Sequence, residues 1–213
     1  MPHPASPAGA RAAAGAPAQR RELRARGQRT MRKLLDAGGE VFAAKGYHAA
    51  RVDDIVKLAK TSHGTFYLYF SNKEDLFRAL AGEITDEMQV VAESLGPLAA
   101  GPEGRAALRE WIEQFADLYA RWGPVVRAWT EAEMASLEFG RLGTDVLTRL
   151  TRVLTDRITA VEAPDLDPAI AALALVAMLE RLNYYVISDQ VRIDREQMID
   201  TLADVTHAAL FGA

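Results

Sequence analysis

Residues 61–76 combine small hydrogen-bonding side chains, closely spaced aromatic rings and a basic residue. The segment reads TSHGTFYLYFSNKEDL, with four rings inside five positions. Ser, Thr, His and Tyr side chains can donate hydrogen bonds to base edges or phosphate oxygens. A Lys in the first turn of a helix adds a positive charge where backbone N–H groups already favour an anion. These residue types favour contact with a nucleic acid.

The surrounding sequence predicts that this segment belongs to a set of three helices. Apolar residues recur with a helical period over residues 28–45, 53–59 and 63–70, and Gly46 is placed to end the first helix in a left-handed conformation. A tight turn joins the last two helices, which is the arrangement of a helix-turn-helix. In that motif the second helix of the pair enters the major groove of DNA.

Helical spacing assigns different roles to the four rings. Phe66 and Phe70 are four residues apart, so both are expected to pack into the core, whereas Tyr67 and Tyr69 are expected to point elsewhere. Ser62 is expected to cap the third helix, and Ser71-Asn72-Lys73-Glu74 fits a capping box that opens a fourth helix. The pair Gly38–Gly39 lowers the helix propensity by roughly 1 kcal/mol per residue, which close packing of a neighbour would explain.

Charge is distributed unevenly along the chain. The net charge is −4, yet residues 1–80 hold 14 Lys and Arg against 7 Asp and Glu, whereas residues 81–213 hold 11 against 22. This asymmetry predicts a basic segment that meets a polyanion and an acidic domain with another role. Chance clustering of solvated charge is the alternative explanation.

Composition narrows the class of protein further. The chain has no Cys, which excludes disulfides, thiolate catalysis and Cys-based metal sites and fits a cytoplasmic location. Residues 1–24 are rich in Pro, Ala, Gly and Arg, and we interpret them as a flexible basic arm. No apolar run approaches the ~18 to 20 residues of a membrane-spanning helix, so a soluble protein with no membrane partner is expected.

The segment from about Arg29 to Leu80 resembles the DNA-binding domain of TetR-family transcriptional regulators. Three features carry the resemblance: Lys45-Gly46-Tyr47 after the first helix, Val52 to Ile55 as V-x-x-I, and SHGTFYLYFSNKEDL from Ser62 to Leu76. It implies a helix-turn-helix DNA-binding domain at residues 25–80 and a helical ligand-binding and dimerisation domain at residues 81–213.

The resemblance also implies DNA-contacting residues by position. Ser62, His63, Gly64 and Thr65 become candidates for reading bases, and Tyr67, Tyr69 and Lys73 become candidates for holding phosphates. The alternatives are a solvated surface Lys73 and half-buried structural tyrosines. Two departures from the family pattern add candidates: Arg51 replaces a helix-capping Thr or Ser, and Lys60-Thr61 replaces Gly-Val in the turn. Arg51 and Lys60 are therefore candidate phosphate contacts, and Lys60 is expected in a backbone region that non-Gly residues avoid.

The remainder of the chain is also predicted to be helical, which makes the protein all-α. Candidate helices are residues 103–122, 124–139, 142–161, 168–188 and 195–211, with a break expected at Gly123-Pro124. The four His are scattered, and His207 is interpreted as a packing or interface residue. No nucleophile–base pair, cofactor or metal constellation is evident, so an enzyme is not expected.

An aromatic stripe predicts a small-molecule cavity in this second part. Trp111, Phe115, Leu118 and Trp122 recur along one helical face, and the alternative is an ordinary aromatic core. A cluster of this kind favours an apolar site between helices. The candidate ligand-binding residues are Trp111, Phe115, Tyr119, Trp122, Val126, Trp129, Met134, Met178, Arg181 and Tyr184. Arg181 is either an anchor for an acidic ligand group or a salt-bridge partner of Glu133 or Glu131.

The resemblance further implies a homodimer. In such proteins the last two long helices pair with their copies, here residues 168–188 and 195–211, and the dimer binds a palindromic double-stranded operator. The expected function is a repressor released by a hydrophobic effector, and similarity of the LERLNYY segment to members linked to lipid or sterol metabolism suggests an acyl-type compound. The alternative is a DNA-binding dimer without a small-molecule ligand, whose second domain serves only dimerisation or a protein partner.

Overall fold

The protein is described by a computed structural model that covers residues 25–133, 137–161, 166–187 and 191–212. The predicted N-terminal arm lies outside these ranges. The described residues form eight helices and contain no strand, which confirms the all-α prediction. The helices are α1 Ala25–Ala49, α2 Val52–Leu58, α3 His63–Tyr69, α4 Lys73–Ser94, α5 Gly101–Glu133, α6 Leu137–Thr159, α7 Pro168–Ile187 and α8 Arg195–Phe211.

The chain divides into two compact units. The first holds the described residues up to 41 together with residues 51–79, and the second holds residues 42–50 and the described residues from 80 onward. In the second unit, the backbone carbonyl of Ala43 accepts a hydrogen bond from Arg127 on α5 at 3.3 Å. The first unit contains the helix-turn-helix, and the second contains the long helices α5 to α8.

The ends of α1 follow the predicted signals. Gly46 has φ 74° and ψ 171°, so the helical conformation is interrupted there, as its position after Lys45 predicts. Gly38 is close-packed: a methyl group at its Cα would overlap the side chain of Leu76 on α4. The close approach of α1 and α4 therefore explains why Gly stands at position 38 despite its low helix propensity.

Helix α4 is capped one residue later than predicted, and Asp75 returns a bond to the residue before the N-cap, whereas a capping box is defined by a bond to the N-cap itself. Asn72 is the N-cap, and its side-chain oxygen accepts a hydrogen bond from the backbone N–H of Asp75 at 2.8 Å. The carboxylate of Asp75 in turn accepts from the backbone N–H of Ser71 at 3.0 Å. Ser71 and Glu74 fit the sequence pattern equally well, but the helix begins at Lys73, and this places Asn72 and Asp75 in the capping positions.

The predicted break at Gly123-Pro124 is wrong, because α5 continues through both residues. A Pro inside a helix removes one hydrogen bond and costs about 3 kcal/mol. The residues that follow offset this cost, since Val125, Ala128 and Trp129 are buried as one stripe of the same helix. Tertiary burial therefore outweighs the local stop signal.

Helix α7 is the most apolar of the described helices. By length and composition alone, Pro168–Val186 could cross a membrane, which contradicts the expectation that no apolar run approaches that length. Ala172, Leu175, Val176 and Leu179 are buried in the apolar core of the second unit, together with residues of α5, α6 and α8. These four residues are the core-facing part of the helix, but only 28% of its apolar window is buried, so the core of one copy does not account for the rest of its apolar surface.

Candidate functional site

The turn between α2 and α3 has the geometry that ends a helix sharply. The backbone N–H of Thr61 donates to the carbonyl of Val56 at 3.0 Å, and that of Lys60 donates to the carbonyl of Lys57 at 3.3 Å. This pair of hydrogen bonds is a Schellman motif, which places Lys60 at the position that Gly usually occupies. Lys60 has φ 53°, and it is the one non-Gly residue with positive φ within the described ranges. The expectation of an uncomfortable backbone at Lys60 is confirmed.

Helix α3 has a buried face and an exposed face. Phe66 and Phe70 are fully buried, as predicted, whereas Tyr67 is 55% exposed. The prediction that Tyr69 points away from the core is wrong, because Tyr69 is only 9% exposed. Three residues separate it from Phe66, so both rings lie on the core side of the helix. A phosphate contact by the Tyr69 hydroxyl stays a prediction.

Sequence reasoning missed Leu68 on the same helix. Its side chain is 64% exposed, although Leu usually contributes to a core. The exposure of Leu68 could have been predicted from the helical period. Leu68 lies four residues after Gly64 and three after Thr65, so it is on their side of the helix. An exposed apolar side chain at that position can contact a thymine methyl group or a sugar.

The start of α3 presents the candidate base-reading residues to solvent. Ser62 caps the helix by accepting from the backbone N–H of Thr65 at 3.1 Å, as predicted, and its hydroxyl also lies 3.0 Å from that of Thr65. His63 and Gly64 are exposed. The imidazole Nε2 of His63 lies 2.6 Å from Oδ1 of Asp53 on α2. This contact links the two helices of the motif and holds the imidazole at one edge of the exposed face.

The three cationic candidates for phosphate contact lie at or near helix ends. Arg51 is exposed at the N-cap of α2, where the carboxylate of Asp54 accepts from its backbone N–H at 3.3 Å. Lys60 is exposed in the turn, and Lys73 is partly exposed at the first residue of α4. All three cations therefore lie at helix ends, where backbone N–H groups or a turn approach solvent.

The second unit contains an apolar cavity of about 190 Å³ between α4, α5, α6 and α7. Its walls come from all four helices: Ile84, Met88, Phe115, Tyr119, Val126, Trp129, Gly143, Val146, Leu147, Leu150, Val176 and Glu180. Of the candidate ligand-binding residues, Phe115, Tyr119, Val126 and Trp129 are in this wall. We refer to this space as the central cavity.

The other two tryptophans lie outside the central cavity. Trp111 is 2% exposed and donates its indole N–H to the carbonyl of Val91 at 2.7 Å. Trp122 donates its indole N–H to the carboxylate of Glu87 at 2.9 Å. Both indoles thus join α5 to α4. For them the alternative of a structural aromatic ring accounts for the contacts observed.

The candidates on α7 have separate environments. Arg181 is exposed, and its guanidinium lies 5.6 Å and 5.9 Å from the ring centres of Tyr184 and Tyr185, within cation–π range. Met178 packs against the core of the second unit but does not line the central cavity. Met134 lies outside the described residues, and nothing described in the structure decides whether Glu131 or Glu133 pairs with Arg181.

Sequence reasoning missed the walls from α4 and α6 and one polar wall residue. Gly143, Val146, Leu147 and Leu150 recur at helical spacing along α6 and form one side of the cavity. That spacing was visible, but an apolar stripe by itself does not distinguish a cavity wall from a filled core. Glu180 is the missed polar residue, and an acid inside the apolar α7 segment was the available signal.

Glu180 and Tyr119 form the polar end of the central cavity. The Tyr119 hydroxyl lies 3.4 Å from Oε1 of Glu180. Burial raises the pKa of Tyr119 well above its usual range, and the negative charge of Glu180 raises it further. The Tyr119 phenol is therefore a neutral hydrogen-bond donor at physiological pH.

Helices α7 and α8 carry exposed apolar residues. Ile170 and Leu173 on α7 are 69% and 50% exposed, and Val205 on α8 is 50% exposed. Small exposed residues continue the same helices, with Ala174 and Ala177 on α7 and Ala208 on α8. We refer to these six residues as the α7/α8 face.

Comparisons with known proteins agree with this architecture. The profile described as "Bacterial regulatory proteins, tetR family" matches residues 34–80, which include α2, α3 and the start of α4. The regulator YdgC of Bacillus subtilis is 34% identical over 34% of this chain, and the match spans about a third (37%) of that relative. The regulator EthR of Mycolicibacterium smegmatis is 27% identical over 92% of this chain and 93% of its own.

A solved structure extends the agreement to the fold of most of the chain. The regulator FadR of Bacillus subtilis, solved in complex with stearoyl-CoA, superposes with a TM-score of 0.62 and is 23% identical. The superposition covers 85% of this chain and 98% of that structure. With a helix-turn-helix of matching sequence and a similar helical second unit, the chain belongs to the TetR family of transcriptional regulators.

Proposed function

We propose that this protein is a homodimeric repressor that binds a palindromic operator through α3 and releases it when an apolar small molecule occupies the central cavity. The apolar cavity of about 190 Å³ in the second unit carries the ligand part of this proposal. An apolar space between helices is a common site for a small ligand, and this favours a ligand over a second unit that serves only dimerisation.

The exposed face of α3 supports the DNA-binding part. His63, Gly64 and Tyr67 are exposed and Thr65 is partly exposed, so these residues are accessible for the proposed contacts. Arg51, Lys60 and Lys73 lie near helix ends. Selection of binding sequences from random double-stranded DNA, with the purified full chain, tests this part. Recovery of a palindromic sequence is the expected result. Enrichment of no sequence would contradict it.

The α7/α8 face supports the dimer, because it leaves apolar and small side chains uncovered on the two helices. Two copies joined there would present two α3 helices to successive major grooves, about 34–36 Å apart. Ala177→Glu and Val205→Glu place a charge on this face and are expected to give monomers by light scattering, with loss of operator binding. Val90→Glu, at an apolar residue of α4 that is 67% exposed, is the matched control and should remain dimeric.

Release by an effector requires that the ligand bind one conformation more tightly than the other. The wall residue Val146 provides a test, since Val146→Trp would fill the central cavity. This variant is expected to keep operator binding and repression of a reporter gene while losing its response to any effector that releases the wild-type protein.

Deletion of the protein tests the direction of regulation. Loss of repression of the target gene identifies a repressor, whereas loss of its expression would identify an activator.

The chemical class of the effector is a separate part of the proposal. FadR was solved with stearoyl-CoA, which supports an apolar ligand in this fold. An acyl-type effector, expected from the resemblance of the α7 segment, stays a prediction.

A further inference from the structure

We infer that the central cavity selects a compact apolar ligand bearing a cationic or neutral hydrogen-bond donor, and that it rejects a carboxylate. This inference rests on the proposed function of the cavity as the effector site. It follows from the size of the space, from the chemistry of its walls and from the position of one acidic side chain.

The walls offer little polar chemistry apart from one pair of groups. Of the twelve lining residues, nine are aliphatic or are Phe, Met or Gly, and Trp129 contributes an indole. The remaining two are Tyr119 and Glu180. A ligand therefore finds apolar surface on nearly every side and one place to make a directed polar contact.

The carboxylate of Glu180 can accept further hydrogen bonds at the polar end of the central cavity. The Tyr119 hydroxyl is 3.4 Å from Oε1, longer than the usual 2.7–2.8 Å of an O–H···O hydrogen bond. An ionised carboxylate accepts through two oxygens and donates nothing. An ammonium or hydroxyl group can therefore bind Glu180 more closely than Tyr119 does, while a ligand carboxylate would meet a like charge in apolar surroundings.

The neighbouring cation does not reverse this preference. Arg181 follows Glu180 in the chain, but its side chain is exposed, its guanidinium lies over Tyr184 and Tyr185, and it is absent from the cavity wall.

The volume limits the size of the ligand. The central cavity measures about 190 Å³. An apolar protein cavity of about 150 Å³ holds one benzene molecule. One ring with a short arm therefore fills the space, whereas a long acyl chain, the effector type expected from the resemblance, exceeds it and would have to extend through its open side.

Three probes with one skeleton test the inference: phenethylamine, phenethyl alcohol and phenylacetate. Each is added to the purified full-length protein at pH 7 and equal ionic strength, and dissociation constants are measured by calorimetry and by the shift in Tm. We expect the amine and the alcohol to bind at least about tenfold more tightly than phenylacetate, about 1.4 kcal/mol in binding free energy. Equal or tighter binding of phenylacetate would overturn the inference and leave the cavity as the effector site.

Two variants assign the preference to Glu180. Glu180→Gln keeps the shape of the side chain and removes its charge, so the amine should bind at least about tenfold more weakly and phenylacetate more tightly. Tyr119→Phe retains the carboxylate and should keep the order of the three probes. An unchanged amine affinity in Glu180→Gln overturns the inference.

A separate outcome concerns the proposed function itself. Val146→Trp fills the space and is expected to abolish binding of all probes. If no probe binds the wild-type protein, or if the filled variant binds them unchanged, the central cavity is not the ligand site and both proposals fail.

Discussion

The imidazole Nε2 of His63 lies 2.6 Å from Oδ1 of Asp53, so the two helices of the helix-turn-helix are joined at the edge of the candidate base-reading face. Both side chains are largely exposed, His63 at 54% and Asp53 at 75%. A surface pair of this kind contributes little to stability. Its consequence is that it holds the His63 ring in one orientation.

Asp53→Asn should therefore alter DNA recognition more than folding. The contact that orients His63 is weakened, so discrimination between the operator and its single-base variants should fall several-fold. Loss of a negative charge near DNA should at the same time strengthen binding to unrelated sequences. Fluorescence anisotropy with operator and scrambled duplexes at one salt concentration measures both effects.

Asp36→Asn is the matched control for this experiment. Asp36 lies on α1 in the same unit and forms an exposed ion pair with Arg32 of the same helix at 2.8 Å. It should change affinity for all sequences alike and leave discrimination intact. If both variants lose discrimination equally, Asp53 has no specific role in positioning His63.

Gly64→Ala should affect folding stability and operator affinity differently. A methyl group at Gly64 would meet no atom closer than the Ser62 hydroxyl at 3.7 Å, an ordinary contact. Because Ala has the higher helix propensity, the variant should be equally or more stable, by up to about 1 kcal/mol. If the α3 backbone approaches base edges closely, the same methyl group should weaken operator binding about tenfold or more. Urea unfolding and operator titration test the two halves, and unchanged operator affinity would remove Gly64 from the reading face.

Lys60→Gly tests the strain in the turn between α2 and α3. A left-handed backbone costs a non-Gly residue about 1–2 kcal/mol, and the greater freedom of Gly in the unfolded chain offsets roughly half of that. The free energy of unfolding should therefore rise by about 0.5–1 kcal/mol. Operator affinity should fall, with a smaller salt dependence, if the Lys60 ammonium holds a phosphate. A variant that is less stable than the wild type would contradict the strain at φ 53°.

Local signals predicted the helix ends within residues 25–80 well, because helix ends depend on neighbouring residues. Gly46, Ser62 and Lys60 have the backbone roles expected of them. The failures come from tertiary packing, which local patterns do not contain. Pro124 remains inside α5 because the residues after it are buried. Tyr69 is a different case, because its spacing of three residues from Phe66 already favoured the buried side of α3. The cavity walls of α6 could not be identified because an apolar stripe is compatible with a filled core.

Ion pairs between α5 and α8 predict a loss of stability in acid. Arg105 binds Asp204, and Arg109 binds Asp200 at 2.7 Å and Glu196 at 2.6 Å. The hydrogen bond from Arg105 lowers the pKa of Asp204 below its ordinary value of 3.8. A carboxyl whose pKa is lower in the folded state stabilises the fold above its unfolded pKa, and this contribution is lost as the pH falls through the folded pKa.

Tm should accordingly fall as the pH is lowered through and below about 4, and Asp204→Asn should reduce this fall. At pH 7 the variant should be slightly less stable than the wild type. The ion pairs are exposed, so added salt should also reduce the difference in stability between the wild type and Asp204→Asn. Asp145→Asn, at an exposed acid of α6, is the control and should leave the acid dependence unchanged. Identical pH profiles for the wild type and Asp204→Asn would contradict a role for the Arg105–Asp204 pair.

Gly38 and Gly82 offer a paired test of close packing against helix propensity. Both lie inside helices, but a methyl group at Gly38 would overlap the Leu76 side chain, whereas one at Gly82 meets nothing within 4 Å. Leu76 is fully buried, so it has little room to move away. Overpacking of a core costs about 1–3 kcal/mol, which exceeds the gain of about 1 kcal/mol from replacing Gly by Ala in a helix.

Gly38→Ala should therefore lower the free energy of unfolding by about 1 kcal/mol, and Gly82→Ala should raise it by up to about 1 kcal/mol. Adding Leu76→Val to Gly38→Ala removes part of the overlapping side chain, so the double variant should lose less than the two single variants do together. Urea unfolding of the four proteins gives this coupling. If Gly38→Ala stabilises the protein as Gly82→Ala does, the close approach of α1 and α4 does not explain why Gly stands at position 38.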